Sequence, residues 1–349
     1  MLAAVLHAPN ALSVQEVETP TPGPGEVLLR VEAVTLCGSD VRIYLGQKTG
    51  GVNWPAIIGH EFAGSVAAVG DGVALQEDSR VSVVPWMPCR RCAECRRGRL
   101  NLCANLTVMG YGISGALAEY TLIPAEAVQA GLLVPAAPDA NAAELAMAEP
   151  LACAVHGHRR SDIRLGESVL VLGGGPIGLF HVQLARLAGA STIIMSEPSA
   201  VRRNFAAQVG ATHLVDPTAD DLRNVVFEAT HGNGADHSIV CIGYGDLVNE
   251  AIACTRKGGG RLNLFAGFGG DGKAGIDLNA IHYGELDVIG NVGGTVADYR
   301  LALDLIASGK VAAAAMITDR FGLPDTDQAF QRAMSGEALK VAVIPNGAS

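Results

Sequence analysis

Four cysteines fall within fifteen residues as Cys89-x2-Cys92-x2-Cys95-x7-Cys103. Four thiolates at that spacing can close a tetrahedral shell around one Zn²⁺ with no coordination position left open, as in a structural site. The loop carries Arg90, Arg91, Arg96, Arg97 and Arg99 and little apolar content, so bound metal would supply much of its local stability. Two other readings are a zinc ribbon facing nucleic acid and an iron–sulfur cluster. The acidic remainder of the chain weighs against the first, and nothing else in the sequence suggests electron relay. Further groups able to ligate a metal stand in three places: Cys37 in Leu36-Cys37-Gly38-Ser39-Asp40, the pair His60-Glu61 after Gly59, and Glu149 in Ala148-Glu149-Pro150-Leu151. Taken singly, such a cysteine is as readily a small core residue, and such a His-Glu pair as readily a polar surface.

A second chemistry is written in glycine. From Ser168 an apolar strand leads into Gly173-Gly174-Gly175-Pro176-Ile177-Gly178 and then a helical stretch to Leu187, which satisfies a dinucleotide fingerprint at its first, third and sixth positions. Gly173 permits the sharp turn, Gly175 the close approach of backbone to a pyrophosphate, and Gly178 tight strand–helix packing. The helix start, with Pro176 and Ile177, offers unpaired N–H groups to the anion. Glu197 follows the strand Thr192 to Met195, 19 residues beyond Gly178, near the expected place of an acid that accepts from ribose hydroxyls. A carboxylate there repels a 2′-phosphate, so NAD is expected over NADP, although Arg202 and Arg203 follow, as cofactor contacts or as surface charges.

These groups need elements to hold them. Residues 1 to about 130 read as short β-segments, such as Glu26 to Val34 and Ser79 to Val84, between Pro and Gly turns. From Glu167 the texture becomes alternating strand and helix, with later strands at His237 to Ile242, Arg261 to Phe265 and Leu286 to Gly290, which is the pattern of a parallel α/β sheet. A helix Ala297 to Ser308 and a strand-like Ala338 to Pro345 follow, the latter expected to pack back on the first domain. At 349 residues and 49% hydrophobic composition the chain can bury a large core in about two domains. The balance of 25 Lys plus Arg against 35 Asp plus Glu disfavours nucleic acid and anionic lipid as partners. The sequence shows neither a secretory leader nor a membrane span, and its cysteines are grouped for metal rather than disulfides, so a cytoplasmic setting is expected.

Taken together and in this order, the Cys37-Gly38-Ser39-Asp40, Gly59-His60-Glu61, four-cysteine, Glu149-Pro150-Leu151 and Gly173 to Gly178 motifs resemble those of medium-chain zinc-dependent alcohol dehydrogenases. The match is to the polyol branch that includes sorbitol, threonine and galactitol-phosphate dehydrogenases. The resemblance covers essentially the full length. It implies a GroES-like β-rich catalytic domain over residues 1–149 with both zinc sites, a Rossmann domain of doubly wound parallel sheet over 150–292, and a return segment over 293–349 on the catalytic domain, with the active site in the cleft. It also implies a second, catalytic zinc among Cys37, His60, Glu61 and Glu149, one glutamate exchanging with water or substrate oxygen. There zinc would stabilise an alkoxide for hydride transfer to nicotinamide. Ser39 resembles the first proton-relay hydroxyl and Asp40 the carboxylate that orients the histidine. Arg42 departs from the histidine that some relatives carry five residues after the ligand cysteine to pass the proton to solvent. Ile242, Gly243, Phe265, Ala266, Asn291 and Val292 fall where relatives contact the nicotinamide half, and Cys153 is expected buried on a helix rather than ligating. Such relatives are dimers or tetramers. The implied activity is oxidation of a secondary alcohol of a polyol, sugar or sugar phosphate, with L-threonine 3-dehydrogenation as the rival and a non-enzymatic zinc scaffold as the alternative of another class.

Overall fold

A computed structural model describes residues 1–269, 272, 273 and 275–347. The chain divides into two compact units, Met1–Ala152 with Thr295 onward, and Cys153–Gly294.

The first unit is built on a seven-stranded sheet whose main path runs Ile317–Gly322, Lys340–Ile344, Val27–Thr35, Glu61–Val69, Arg80–Val83 and Leu133–Pro135, with Tyr120–Ile123 also pairing Val27–Thr35. Val27–Thr35 is the strand on which the others register. Val27, Leu28, Leu29, Val31, Ala33 and Val34 are all buried on it, a near-continuous apolar run because both of its faces are covered. Its antiparallel pairing with Glu61–Val69 sets Thr35 opposite Glu61. The return strand Lys340–Ile344 lies against its other edge through Ala342↔Thr35 and Val343↔Val34. The ends of three strands therefore meet around Thr35, Glu61 and Lys340. The strand spans sit within two residues of those expected from the sequence at each end, the usual reach of fraying.

The second unit is a six-stranded parallel sheet in the order His213–Val215, Thr192–Ser196, Ser168–Leu172, His237–Val240, Arg261–Leu264, Asp287–Gly290. Helices Pro176–Leu187, Ala200–Val209, Leu222–Ala229, Asp246–Cys254 and Leu278–Gly284 link them. Leu170, Leu172, Ile194, Val240 and Leu262 are buried in the core between sheet and helices, as a parallel sheet covered on both faces requires. Ser168–Leu172 lies between Thr192–Ser196 on one side and His237–Val240 on the other. The chain reverses its winding there, and the crevice beyond the strand's carboxyl end is where such sheets take ligands. Ile242 and Phe265 fall just past their strands, which end at Val240 and Leu264.

Candidate active site and nucleotide turn

Cys37 precedes the short helix Gly38–Tyr44, and its backbone N–H donates to Asp40 Oδ2 at 3.0 Å, so the acid caps the helix that presents the cysteine. The other oxygen of the same carboxylate, Oδ1, lies 3.0 Å from His60 Nδ1. Asp40 and His60 are both buried, and holding Nδ1 this way leaves Nε2 as the nitrogen available to a metal. Burial opposes charge on both groups, yet their attraction outweighs it: the pKa of His60 lies well above its usual range and that of Asp40 below. Gly59, at φ +93°, turns the chain immediately before His60.

The donor atoms of Cys37, His60 and Glu61 all lie within 4.8 Å of one another, close enough to share one ion. Glu149 stands outside that tight group, in the first turn of the helix Ala148–Ser161, but is buried and within electrostatic reach. Burial, with Glu61 as a further cause, pushes its carboxyl up to about 7, against the pull of His60 and Lys340. Glu61 is fully buried and doubly engaged. Lys340 Nζ donates to Oε1 at 2.9 Å and lies 2.6 Å from Oε2, and the Thr35 hydroxyl donates to Oε2. Neither Lys340 nor Thr35 was singled out from sequence. The available signal was a lysine inside an apolar strand-like run, since a charge in a buried strand needs a partner.

Ser39 Oγ lies 3.5 Å from His60 Nε2 and accepts from the Tyr111 hydroxyl at 2.8 Å. Tyr111 was also missed, although it sits between Gly110 and Gly112 in the sequence.

Cys89, Cys92, Cys95 and Cys103 come together with all four sulfurs within 4.8 Å of one another. The Cys92–Cys103 separation is 3.9 Å, beside the roughly 3.8 Å edge of a tetrahedron with Zn–S bonds of about 2.3 Å. Backbone N–H groups of Arg91 and Cys92 draw the Cys89 thiol down to about 6, while burial pushes Cys95 up to about 12. The lobe thus does not ionise evenly by itself, and a divalent cation is what would make four thiolates compatible. Cys153 lies on the helix Ala148–Ser161 but is half-buried rather than buried. It shares the less covered helix face with His156, three residues on, and belongs to neither metal group.

In the second unit Gly173 adopts φ +100°, and a Cβ there would meet Ile242 at 3.2 Å. A Cβ on Gly178 would stand 1.9 Å from the carbonyl oxygen of Gly173, so only glycine allows this strand–helix contact. Gly175 precedes the helix with Pro176 at its first turn, and a Cβ on it would meet nothing within 4 Å among the described residues. That leaves free space at a helix N-terminus, which suits a pyrophosphate. Glu197 is buried: one oxygen accepts from Gly174 N–H at 2.6 Å and the other from Ser199 N–H at 2.9 Å. Arg202 lies partly buried on the helix Ala200–Val209. Arg203 donates to the Glu197 and Pro198 carbonyls and pairs with Asp216 at 2.9 Å. Gly243 and Ala266 stand beyond their strands with Ile242 and Phe265, and the Phe265 ring meets the buried His181 edge-on at 4.9 Å. Asn291 and the exposed Val292 follow the last strand.

Two family models match, the alcohol dehydrogenase GroES-like domain over residues 23–134 and the zinc-binding dehydrogenase domain over 176–308. The chain belongs to the medium-chain zinc-dependent alcohol dehydrogenases, in their polyol branch, and is an oxidoreductase of that family. It is 31% identical to sorbitol dehydrogenase of Bacillus subtilis, across 99% of this chain and 98% of that one. It is 34% identical to L-threonine 3-dehydrogenase of Pyrococcus furiosus, across 94% of each. A zinc-binding dehydrogenase of Sinorhizobium meliloti, solved bound to NADP, superposes with a TM-score of 0.91 at 34% identity over 99% of both chains. The four-cysteine group and Cys37, His60 and Glu61 are its candidate zinc sites. No described helix is long and apolar enough to cross a membrane.

Proposed function

We propose that this enzyme oxidises a secondary alcohol of a polyol, sugar or sugar phosphate to the ketone, with NAD as hydride acceptor. The observation that carries the reading is a pair of buried carboxylates, Glu61 grouped with one thiol and one imidazole and Glu149 within electrostatic reach of them. Carboxylate oxygens are harder and more readily exchanged donors than a second thiolate, which suits a centre that must release a ligand to admit a hydroxylated substrate. Lys340 and Thr35 hold Glu61 in place, while burial pushes the Glu149 carboxyl up to about 7. Cys37, His60 and one of these glutamates would hold zinc, which supplies Lewis-acid polarisation of the substrate oxygen. Asp40 keeps His60 in the tautomer that points Nε2 at the metal, and Ser39 takes the hydroxyl proton. The Cys89, Cys92, Cys95 and Cys103 lobe would hold the second, structural zinc.

In the other unit the Gly173 to Gly178 turn would receive the pyrophosphate and Glu197 would face the adenosine ribose, with Ile242, Gly243, Phe265, Ala266, Asn291 and Val292 toward the nicotinamide. Glu197 close to a 2′-phosphate, and Arg203 already tied to Asp216, favour NAD, whereas the Sinorhizobium relative's NADP keeps the phosphorylated cofactor as the competing choice. Eight free cysteines fit a reducing, cytoplasmic setting.

The test is reduction of NAD and of NADP across a panel of polyols, sugar phosphates and L-threonine, with zinc measured per chain. The reading expects two zinc equivalents, a preference for NAD, turnover of a polyol-type alcohol, and no activity in Cys37→Ser. The threonine dehydrogenase likeness makes L-threonine the specific competitor, and its selective oxidation would overturn the substrate assignment.

A further inference from the structure

We propose that Tyr111 is the residue that passes the proton between Ser39 and solvent, filling the place left by Arg42. The proposal rests on the dehydrogenase reading above and adds to it the exit route.

The Tyr111 hydroxyl donates to Ser39 Oγ at 2.8 Å, and Ser39 Oγ lies 3.5 Å from His60 Nε2 on the metal-facing side of that ring. His60 is 3% exposed, whereas Ser39 and Tyr111 are both only partly buried, so the two hydroxyls lead from a dry site toward water. The phenol is closely held. Its ring tilts 58° against the imidazole of His60 at 5.3 Å, and the Lys48 ammonium sits 3.9 Å from the ring centroid.

The backbone is shaped to bring it there. Gly110, at φ +83°, would place a Cβ 3.0 Å from the Gly59 carbonyl oxygen, and Gly115 would place one 2.5 Å from the same atom. The loop carrying Tyr111 and the turn carrying His60 thus touch backbone to backbone, with glycine on both sides. Asn53 clips the loop, its N–H donating to the Tyr111 carbonyl at 3.3 Å and its amide to that of Gly112 at 2.7 Å. A ring that only filled space would not need its hydroxyl aimed at Ser39.

The bond direction also makes chemical sense. With Tyr111 donating, the proton of Ser39 is free to point at a substrate oxygen, which is the arrangement for carbonyl reduction. In oxidation both hydroxyls rotate. The substrate O–H bond breaks and its proton joins Ser39 Oγ, the former Ser39 proton moves to the Tyr111 oxygen, and the Tyr111 proton goes to water. Both hydroxyls are restored, and one proton leaves for each hydride taken by the nicotinamide.

The test uses the full-length zinc-loaded enzyme and an alcohol that the wild type oxidises. Rapid mixing follows reduced nicotinamide and, with a pH-indicator dye, released protons. In Tyr111→Phe, kcat should fall by roughly 10²-fold with KM nearly unchanged, the loss should be partly restored by added imidazole, and zinc content and melting temperature should match the wild type. A readout without turnover uses ¹³C-labelled tyrosine in the protein without alcohol or cofactor: the Tyr111 ring resonance, identified by its absence in Tyr111→Phe, should shift in Ser39→Ala. Wild-type proton release in Tyr111→Phe, a loss that imidazole does not restore, or a resonance indifferent to Ser39 would each overturn the relay while leaving the dehydrogenase intact. If the wild type oxidises no alcohol in the panel, the functional reading itself has failed.

Discussion

At the scale of single residues, the nucleotide turn separates two demands that one motif usually hides. Gly178 is required by the protein itself, because an added Cβ would collide with the Gly173 carbonyl at 1.9 Å. Among the described residues nothing beyond its own chain neighbours lies within 4 Å of such a Cβ on Gly175, so packing does not require its glycine and a ligand at the turn would. Gly178→Ala should therefore cost about 2 kcal/mol or more of folding stability, whereas Gly175→Ala should change it by less than about 0.5 kcal/mol. Gly175→Ala should nonetheless weaken NAD binding roughly tenfold or more, because backbone can no longer approach the pyrophosphate. Urea unfolding beside cofactor fluorescence titration reads both, and an alanine at 175 that binds NAD normally would remove the pyrophosphate from this turn. These glycines were legible in the sequence because their spacing is local. So was the four-cysteine lobe, whose ligands are near neighbours along the chain. Lys340 and Tyr111 were not, since each matters only for what the fold brings to it, Lys340 meeting Glu61 across 279 positions.

At the scale of elements, the helices Pro176–Leu187 and Ala148–Ser161 carry a pH liability into the second unit. His181 is fully buried with neither ring nitrogen hydrogen-bonded among the described residues, and His158 Nδ1 is likewise unmet. Burial lowers the pKa of His181 to about 3 and that of His158 to about 4, each helped by a neighbouring histidine. An unfolded histidine titrates near 6.5. Between these values the unfolded chain binds protons that the folded chain refuses, so stability is complete above about pH 6.5 and is lost as pH falls. The expected loss is about 2 kcal/mol for each histidine by pH 5, in thermal or urea unfolding. His181→Leu should flatten that slope, and an unchanged slope would mean that His181 is not neutral in the fold. The sequence reading placed the first of these helices from its glycine turn and apolar period. It did not foresee the Ala200–Val209 and Leu222–Ala229 helices, which at ten and eight residues are too short to be stable alone and depend on packing against the sheet.

At the scale of the whole molecule, the first unit is assembled from both ends of the chain, with the second inserted between them. Lys340–Ile344 lies inside the seven-stranded sheet, flanked by Ile317–Gly322 and Val27–Thr35, and delivers the cation that neutralises Glu61. Removing residues 336–349 should open the edge of Val27–Thr35 and leave a buried, unpaired carboxylate, a defect that costs about 3–5 kcal/mol. We expect that chain to be largely insoluble, with its soluble fraction lacking one of two zinc equivalents. A truncated protein with both metals and wild-type melting would show that the pair is dispensable. The resemblance to polyol dehydrogenases named the candidate ligands Cys37, His60, Glu61 and Glu149 from sequence, but the counter-charge on Glu61 is a property of the closed sheet.

The lysine that balances Glu61 is translated 279 positions after it. Cys37, His60 and Glu61 emerge from the ribosome early and must wait, with an unbalanced acid among them, through the making of an entire nucleotide-binding unit. The candidate metal pocket therefore matures only once the strand beyond that unit has been made, and a product cut short before Lys340 by a premature stop or a protease should be a poor competitor for the cell's zinc.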